Sequence, residues 1–256
     1  MTGLHATVIL AISADGKIAD AVRSPARFGS AKDKAHLEQQ VAASDAVLFG
    51  NGTLQAYGTT MRVISPELVK QRELQGKPPQ PVQIVCSRSA EFDPNLRFFQ
   101  QPLPRWLLTG QDADTARPFL YRAKDEDTAV PFPYPIKDED TAMPSPYPMT
   151  NSKFDRIIYA KTAGGEIDWI DAFQQLANFD IKRLAILGGG KLVASVLAAG
   201  LVDELWLTVC PLILGGADAP TAVEGKGYLA DLAPKLELLA VKQVGQEVFL
   251  HYRVDR

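Results

Sequence analysis

With 256 residues, 46% of them apolar and 22% charged, the chain is long enough to bury a substantial core and has the composition of a globular protein. A net charge of −3 carries no bias toward nucleic acid or an anionic membrane surface, and no stretch approaches the roughly 18 to 20 uninterrupted apolar residues of a membrane span. Asp15 and Lys17 interrupt the N-terminal apolar run where a signal peptide would need it to continue, and Cys86 and Cys210 lie apart in strand-like runs rather than in a C-x-x-C pair, so a cytoplasmic protein without a disulfide framework or zinc site is expected.

The first candidate strand, Ala6 to Ile12, ends in the polar loop Ser13-Ala14-Asp15-Gly16-Lys17. A helix is predicted over Lys32 to Ala43, carrying Asp33 and His36. The strand Ala46 to Phe49 leads into Gly50-Asn51-Gly52-Thr53, which opens a helix or turn that Thr53 can cap. Val82 to Cys86 leads into Ser87-Arg88-Ser89, and Trp106 to Thr109 forms a fourth strand. Residues 124 to 135 recur at 137 to 148 with two of twelve positions changed. Three prolines in each copy forbid a continuous helix or central strand, and the acidic triplet favours solvent, so a single domain, 1–256, is expected to carry a duplicated surface insertion at about 124–149. Beyond it come a strand over Arg156 to Ala160, a helix over Ile170 to Asn178, a strand over Leu184 to Leu187, the glycines 188 to 190, and a helix over Lys191 to Ala199 stopped by Gly200. Glu204 to Cys210 is another strand, and Leu236 to Gln243 and Glu247 to Arg253 form a hairpin about Gly245-Gln246.

The early strands are continuously apolar, as strands covered on both faces by crossover helices are, so the sheet should be mostly parallel with an antiparallel C-terminal edge. In such a sheet ligands lie outside the carboxyl ends of the strands. Four of those ends carry polar or glycine-rich loops. Gly188, Gly189 and Gly190 let backbone N–H groups approach an anion at the start of a helix, although the dipole contributes only roughly 0.3 to 1 kcal/mol and other contacts must converge with it. The spacing matches neither a G-x-G-x-x-G fingerprint nor a P-loop. Ser87 and Arg88 suit a phosphate monoester such as the 2′-phosphate of NADP. Asp15 is the candidate for substrate polarisation or proton delivery, and Lys17 for holding an anionic group. His36 reads as a partly buried helix residue.

The segments Ala11-Ile-Ser-Ala-Asp-Gly-Lys-Ile-Ala19, Ser44-Asp-Ala-Val-Leu-Phe-Gly50 with Thr53, Gly188-Gly-Gly-Lys-Leu192, and Leu201-Val-Asp-Glu-Leu205 followed by Pro211 and Gly215-Gly216 occur in an order that resembles the riboflavin-pathway pyrimidine reductases. These form the C-terminal reductase half of the bifunctional riboflavin-biosynthesis deaminase-reductase. The resemblance covers most of the chain outside 124 to 148, and the deaminase half is missing, with no H-x-E and P-C-x-x-C zinc signature. It implies a dihydrofolate reductase-like three-layer α/β fold, a central mostly parallel sheet with an antiparallel C-terminal hairpin flanked by helices, usually in a homodimer. It also implies an oxidoreductase in which NADPH reduces the ribosyl group of a ribosylaminopyrimidine phosphate. By position, Gly50, Asn51, Thr53, Ser87, Arg88 and Gly188 to Gly190 would hold the cofactor, and Ser13, Asp15, Lys17, Ser30 and Asp33 would face the substrate. Leu187 stands where the family carries a glutamate, Gln55-Ala56-Tyr57-Gly58 replaces an aspartate-proline element, and Glu38-Gln39-Gln40 lies where an arginine is common. These departures keep two alternatives open: a reductase of the same fold with another substrate, such as a pterin, and a non-catalytic NADPH-binding scaffold.

Overall fold

In the computed structural model residues 3–110 and 153–255 are described, and the duplicated segment at 124–149 lies outside them. Strands β1 (His5–Ser13), β2 (Ala46–Gly50), β3 (Val82–Cys86), β4 (Arg105–Gly110) and β5 (Arg156–Ala160) are followed by a small hairpin of β6 (Thr162–Ala163) and β7 (Glu166–Ile167). Then come β8 (Arg183–Ile186), β9 (Glu204–Cys210), β10 (Leu236–Val244) and β11 (Glu247–Val254). The helices among the described residues are α1 (Ala31–Ala43), α2 (Asn51–Tyr57), α3 (Pro66–Leu74), α4 (Trp169–Asn178) and α5 (Gly190–Ala198). None of them is long and apolar enough to cross a membrane.

Nine strands form one sheet in the order β10-β11-β9-β1-β8-β2-β3-β4-β5. The pairs from β9 to β5 are all parallel, whereas β11 runs antiparallel to both β9 and β10. Alternate residues feed two cores. Ile9, Val47, Phe49, Val85 and Ala185 face Val41 of α1, Leu54 of α2 and Phe98. Val8, Leu48, Ile84, Leu184 and Ile186 face Phe173 and Leu176 of α4 and Val193 and Val196 of α5. Because both faces are buried, the inner strands read as unbroken apolar runs rather than alternating ones. The three-layer fold and the antiparallel C-terminal hairpin are as expected.

Two local features differ from the sequence reading. The N-cap of α2 is Gly50, without a side-chain bond, and Thr53 is the third residue of the helix rather than its cap. Helix α3 was absent from the predicted elements, yet Ser65 accepts the Leu68 N–H and Pro66 occupies its first turn. Its Arg72 is buried and closes the end of α1: one Nη1 donates to the carbonyls of Ala42 at 2.7 Å and Ser44 at 2.6 Å, while Nε donates to Pro78 at 2.8 Å. Orphan carbonyls at a helix C-terminus are thereby satisfied by a side chain from the next helix.

Candidate active site

Strands β1, β8, β2 and β3 stand side by side and parallel, so the four loops singled out in the sequence emerge at one edge of the sheet. The loops after β2 and β8 touch. Gly50 N–H donates to the Gly188 carbonyl at 2.9 Å. A Cβ placed on Gly50 would lie 3.8 Å from the Gly189 nitrogen, and one on Gly189 would lie 3.7 Å from Thr53 Oγ1, both ordinary contact distances.

The glycines of these loops are glycine for different reasons. Gly188 has φ +95°, a conformation that side chains rarely adopt, and its Cβ would lie a tight 3.2 Å from Leu10 Cδ2. At Gly190 a Cβ would collide with the Thr221 carbonyl oxygen and crowd Glu224, whose N–H donates to Gly190 O at 3.1 Å. Gly50 and Gly189 are unlike these. Their φ values of −79° and −70° suit any residue, and nothing in the chain crowds them. They are the N-caps of α2 and α5, neither of which has a side-chain cap bond. Two bare helix starts therefore lie next to each other, and neither is crowded by the rest of the chain.

Farther along the edge, Asn51 Nδ2 donates to the Glu91 carbonyl at 3.4 Å. Ser87, only 5% exposed, accepts the Ala90 N–H at 3.2 Å and so shapes its own turn. Arg88 stands in solvent, with Nη1 3.2 Å from Glu166 Oε1 of β7.

On the other side of β8, Ser13 Oγ donates to Asp15 Oδ1 at 2.6 Å and accepts the Lys17 N–H at 2.9 Å. Asp15 also accepts the N–H groups of Leu214 at 3.1 Å and Gly215 at 2.7 Å. These bonds, led by that from Ser13, hold its carboxyl at a pKa of about 2. Asp15 thus remains a carboxylate near neutral pH and fastens the loop after β1 to the loop after β9, which leaves it no proton to deliver. Lys17 Nζ donates to the Ala219 carbonyl at 3.1 Å, and Lys17 pairs with Thr221 in an isolated bridge.

Ser30 and Asp33 meet this group from the start of α1. Ser30 is the N-cap: its Oγ accepts the N–H of Lys32 at 3.1 Å and Asp33 at 3.3 Å. Asp33 is half-buried against Gly29, where any Cβ would collide with its carboxylate. Its pKa is raised, chiefly by burial and further by the charge of Glu247, while the Thr208 hydroxyl beside it acts in the opposite direction. Ser13 of β1 pairs with Cys210 of β9, and Cys210 Sγ lies 3.7 Å from Glu247 Oε1 at the start of β11. Burial, with Glu247 and Asp33 nearby, pushes the Cys210 thiol up to about 12, so it is an un-ionised hydrogen-bond donor. One turn along α1, His36 packs between Trp206 and Phe249, with centroids 4.6 and 5.2 Å away. Burial depresses its pKa, and its buried Nε2 has no partner. Sequence reasoning missed Thr208, Cys210 and Glu247. The signal available was a carboxylate at position 247 in the same inward-facing series as Phe249 and His251. No group of His, Cys, Asp and Glu suited to a metal ion occurs among the described residues.

A family model described as the RibD C-terminal domain matches residues 5–250. The chain is 26% identical over 250 residues to the 2,5-diamino-6-ribosylamino-4(3H)-pyrimidinone 5′-phosphate reductase of Archaeoglobus fulgidus, covering 97% of each protein. It is also 26% identical over 246 residues to the enzyme of that name from Methanothermobacter thermautotrophicus, covering 95% of each. Among solved structures, a pyrimidine reductase-like protein from Corynebacterium diphtheriae shares the fold with a TM-score of 0.71 at 21% identity, over 99% of this chain and 92% of that one. The Saccharomyces cerevisiae riboflavin biosynthesis reductase Rib7 does so with a TM-score of 0.63 at 15% identity, over 100% and 91%. With the family model running from β1 into β11, the chain belongs to the RibD C-terminal domain family.

Proposed function

We propose that the protein is a reductase of riboflavin biosynthesis that uses NADPH to reduce the ribosyl group of a ribosylaminopyrimidine 5′-phosphate. The reading is supported by similarity along nearly the whole length to two reductases named for such a substrate. The structural observation that carries it is the pair of uncrowded helix starts without side-chain caps at Gly50 and Gly189, beside a second group of polar residues that includes the half-buried Asp33.

The residues present fit the cofactor. Gly50, Asn51, Thr53 and Gly188 to Gly190 would hold its pyrophosphate on backbone N–H groups, with Gly188 and Gly190 shaping the loop and Gly50 and Gly189 leaving it open. Arg88 would take the 2′-phosphate. Its exposed pair with Glu166 is worth about 0 to 1 kcal/mol, so exchanging one oxyanion for another costs little. When bound, NADPH supplies the hydride.

On the substrate side, Lys17 uses one of its three donors on Ala219 and keeps the others for a phosphate. Asp33 holds a proton more readily than a free aspartate and stands at the N-terminus of α1 beside Thr208. Asp15 acts by positioning the loops on either side. Leu187, half-buried in the α1-side core, makes the corner before the glycines apolar, so substrate polarity must be met by the Ser13, Ser30 and Asp33 group instead.

The enzyme is proposed to work in the cytoplasm, where Cys86 and Cys210 stay reduced. It is also proposed to work as a homodimer. Purified protein should consume NADPH when the ribosylaminopyrimidine phosphate is added. NADPH binding without consumption would overturn the substrate assignment.

A further inference from the structure

Glu247 lies outside the three loops proposed for the cofactor, yet it is 4% exposed and hydrogen-bonded. Its Oε1 accepts the Ser30 N–H at 2.7 Å and its Oε2 accepts the Ser30 O–H at 2.6 Å. Cys210 Sγ approaches Oε1 at 3.7 Å from the neighbouring strand. A carboxylate so deeply placed is costly unless hydrogen-bonded, and every observed partner is a donor. Those partners lie on two other elements, so one side chain joins the start of β11 to β9 and to the cap of α1. Ser30 in turn holds the N–H of Asp33, whose carboxyl lies within the field of Glu247.

Resting on the reading of Asp33 as the substrate-facing acid, we propose that Glu247 is a positioning residue of the reaction: through its two hydrogen bonds to Ser30 it sets the first turn of α1, and with it the place and surroundings of Asp33 at the substrate. Other groups lie around Asp33, namely Cys210 and the Thr208 hydroxyl from β9 and Tyr57 from α2. Burial raises the Asp33 pKa most and the charge of Glu247 raises it further, while the Thr208 hydroxyl acts in the opposite direction. Removing that charge while preserving shape must therefore lower the proton affinity of Asp33. Removing the side chain must also release the cap.

The test compares wild type, Glu247→Gln, Glu247→Ala, Ser30→Ala and Asp33→Asn as full chains. The Asp33 carboxyl is followed by carbon NMR with carboxyl-labelled aspartate, its signal identified by its loss in Asp33→Asn. Its midpoint should fall in Glu247→Gln, and the pH profile of kcat/KM should move the same way. Glu247→Ala should lower kcat/KM about 10- to 100-fold, as expected for displacement of a reacting group, with NADPH affinity within about twofold of wild type. Ser30→Ala should fall between. An unchanged Asp33 midpoint in Glu247→Gln would overturn the inference, as would a variant that loses only melting temperature. If wild type binds NADPH but does not turn over the pyrimidine, the proposed substrate fails while the NMR midpoint still decides the role of Glu247.

Discussion

Asp15 and Asp33 are both aspartates near the start of the chain, and the structure gives them opposite protonation behaviour. Asp15 accepts bonds from Ser13, Leu214 and Gly215 and is held at about 2, whereas Asp33 is desolvated and raised. A carboxyl whose folded pKa is depressed contributes stability above its unfolded value of roughly 3.9, and that contribution is lost as pH falls toward the folded value. The melting-temperature difference between wild type and Asp15→Asn should therefore be flat from neutral pH down to about 5 and shrink between about 4 and 2. Turnover should slow in the variant while NADPH affinity stays near wild type, and a difference that instead grew with acid would contradict the bonding seen here. The sequence marked both residues as belonging at this edge but could not assign their roles. Asp15-Gly16 reads as a turn whether or not its oxygens bond to a loop 200 residues away, and the field on Asp33 comes from Glu247 at the far end of the chain.

At the scale of elements, strands fared better than short helices. Val82–Cys86, Arg156–Ala160 and Glu204–Cys210 were legible to the residue because their apolar runs end where polar residues or proline begin. Helix α3 was not, because it packs a narrow stripe of Leu68 and Val69 on the core and commits Arg72 to the end of α1, which leaves no apolar period to read. The glycine loops were legible as a group, but not glycine by glycine. That difference is testable. Gly190→Ala should lower the melting temperature by several degrees, because its Cβ meets the Thr221 backbone. Gly50→Ala should cost about 0.5 to 1 kcal/mol as a poorer cap yet weaken NADPH binding by about tenfold or more. Calorimetry showing unaltered NADPH affinity in Gly50→Ala would mean that the space above the two helix starts is not where the cofactor lies.

For the molecule as a whole, the sheet is unequally finished at its two ends. Strand β10 is an edge whose residues are exposed or half-exposed, with Leu236, Leu238 and Val241 at 45%, 52% and 57%. A nine-residue edge of this kind invites pairing unless it is covered, and we propose it as the contact of the homodimer proposed above. Leu238→Lys should shift the protein from dimer to monomer in sedimentation equilibrium, whereas a wild type that sediments as a monomer would remove the dimer from the account. The proposed chemistry is that this fold, with these loops, transfers hydride to a ribosylaminopyrimidine phosphate. The most direct check is mass spectrometry of that substrate after incubation with the enzyme and NADPH carrying deuterium on the nicotinamide. The account predicts a ribityl product heavier by one transferred deuteride and one solvent proton, with the label on the former sugar. Recovery of unchanged substrate from an enzyme that binds NADPH, or label lost to water, would contradict it.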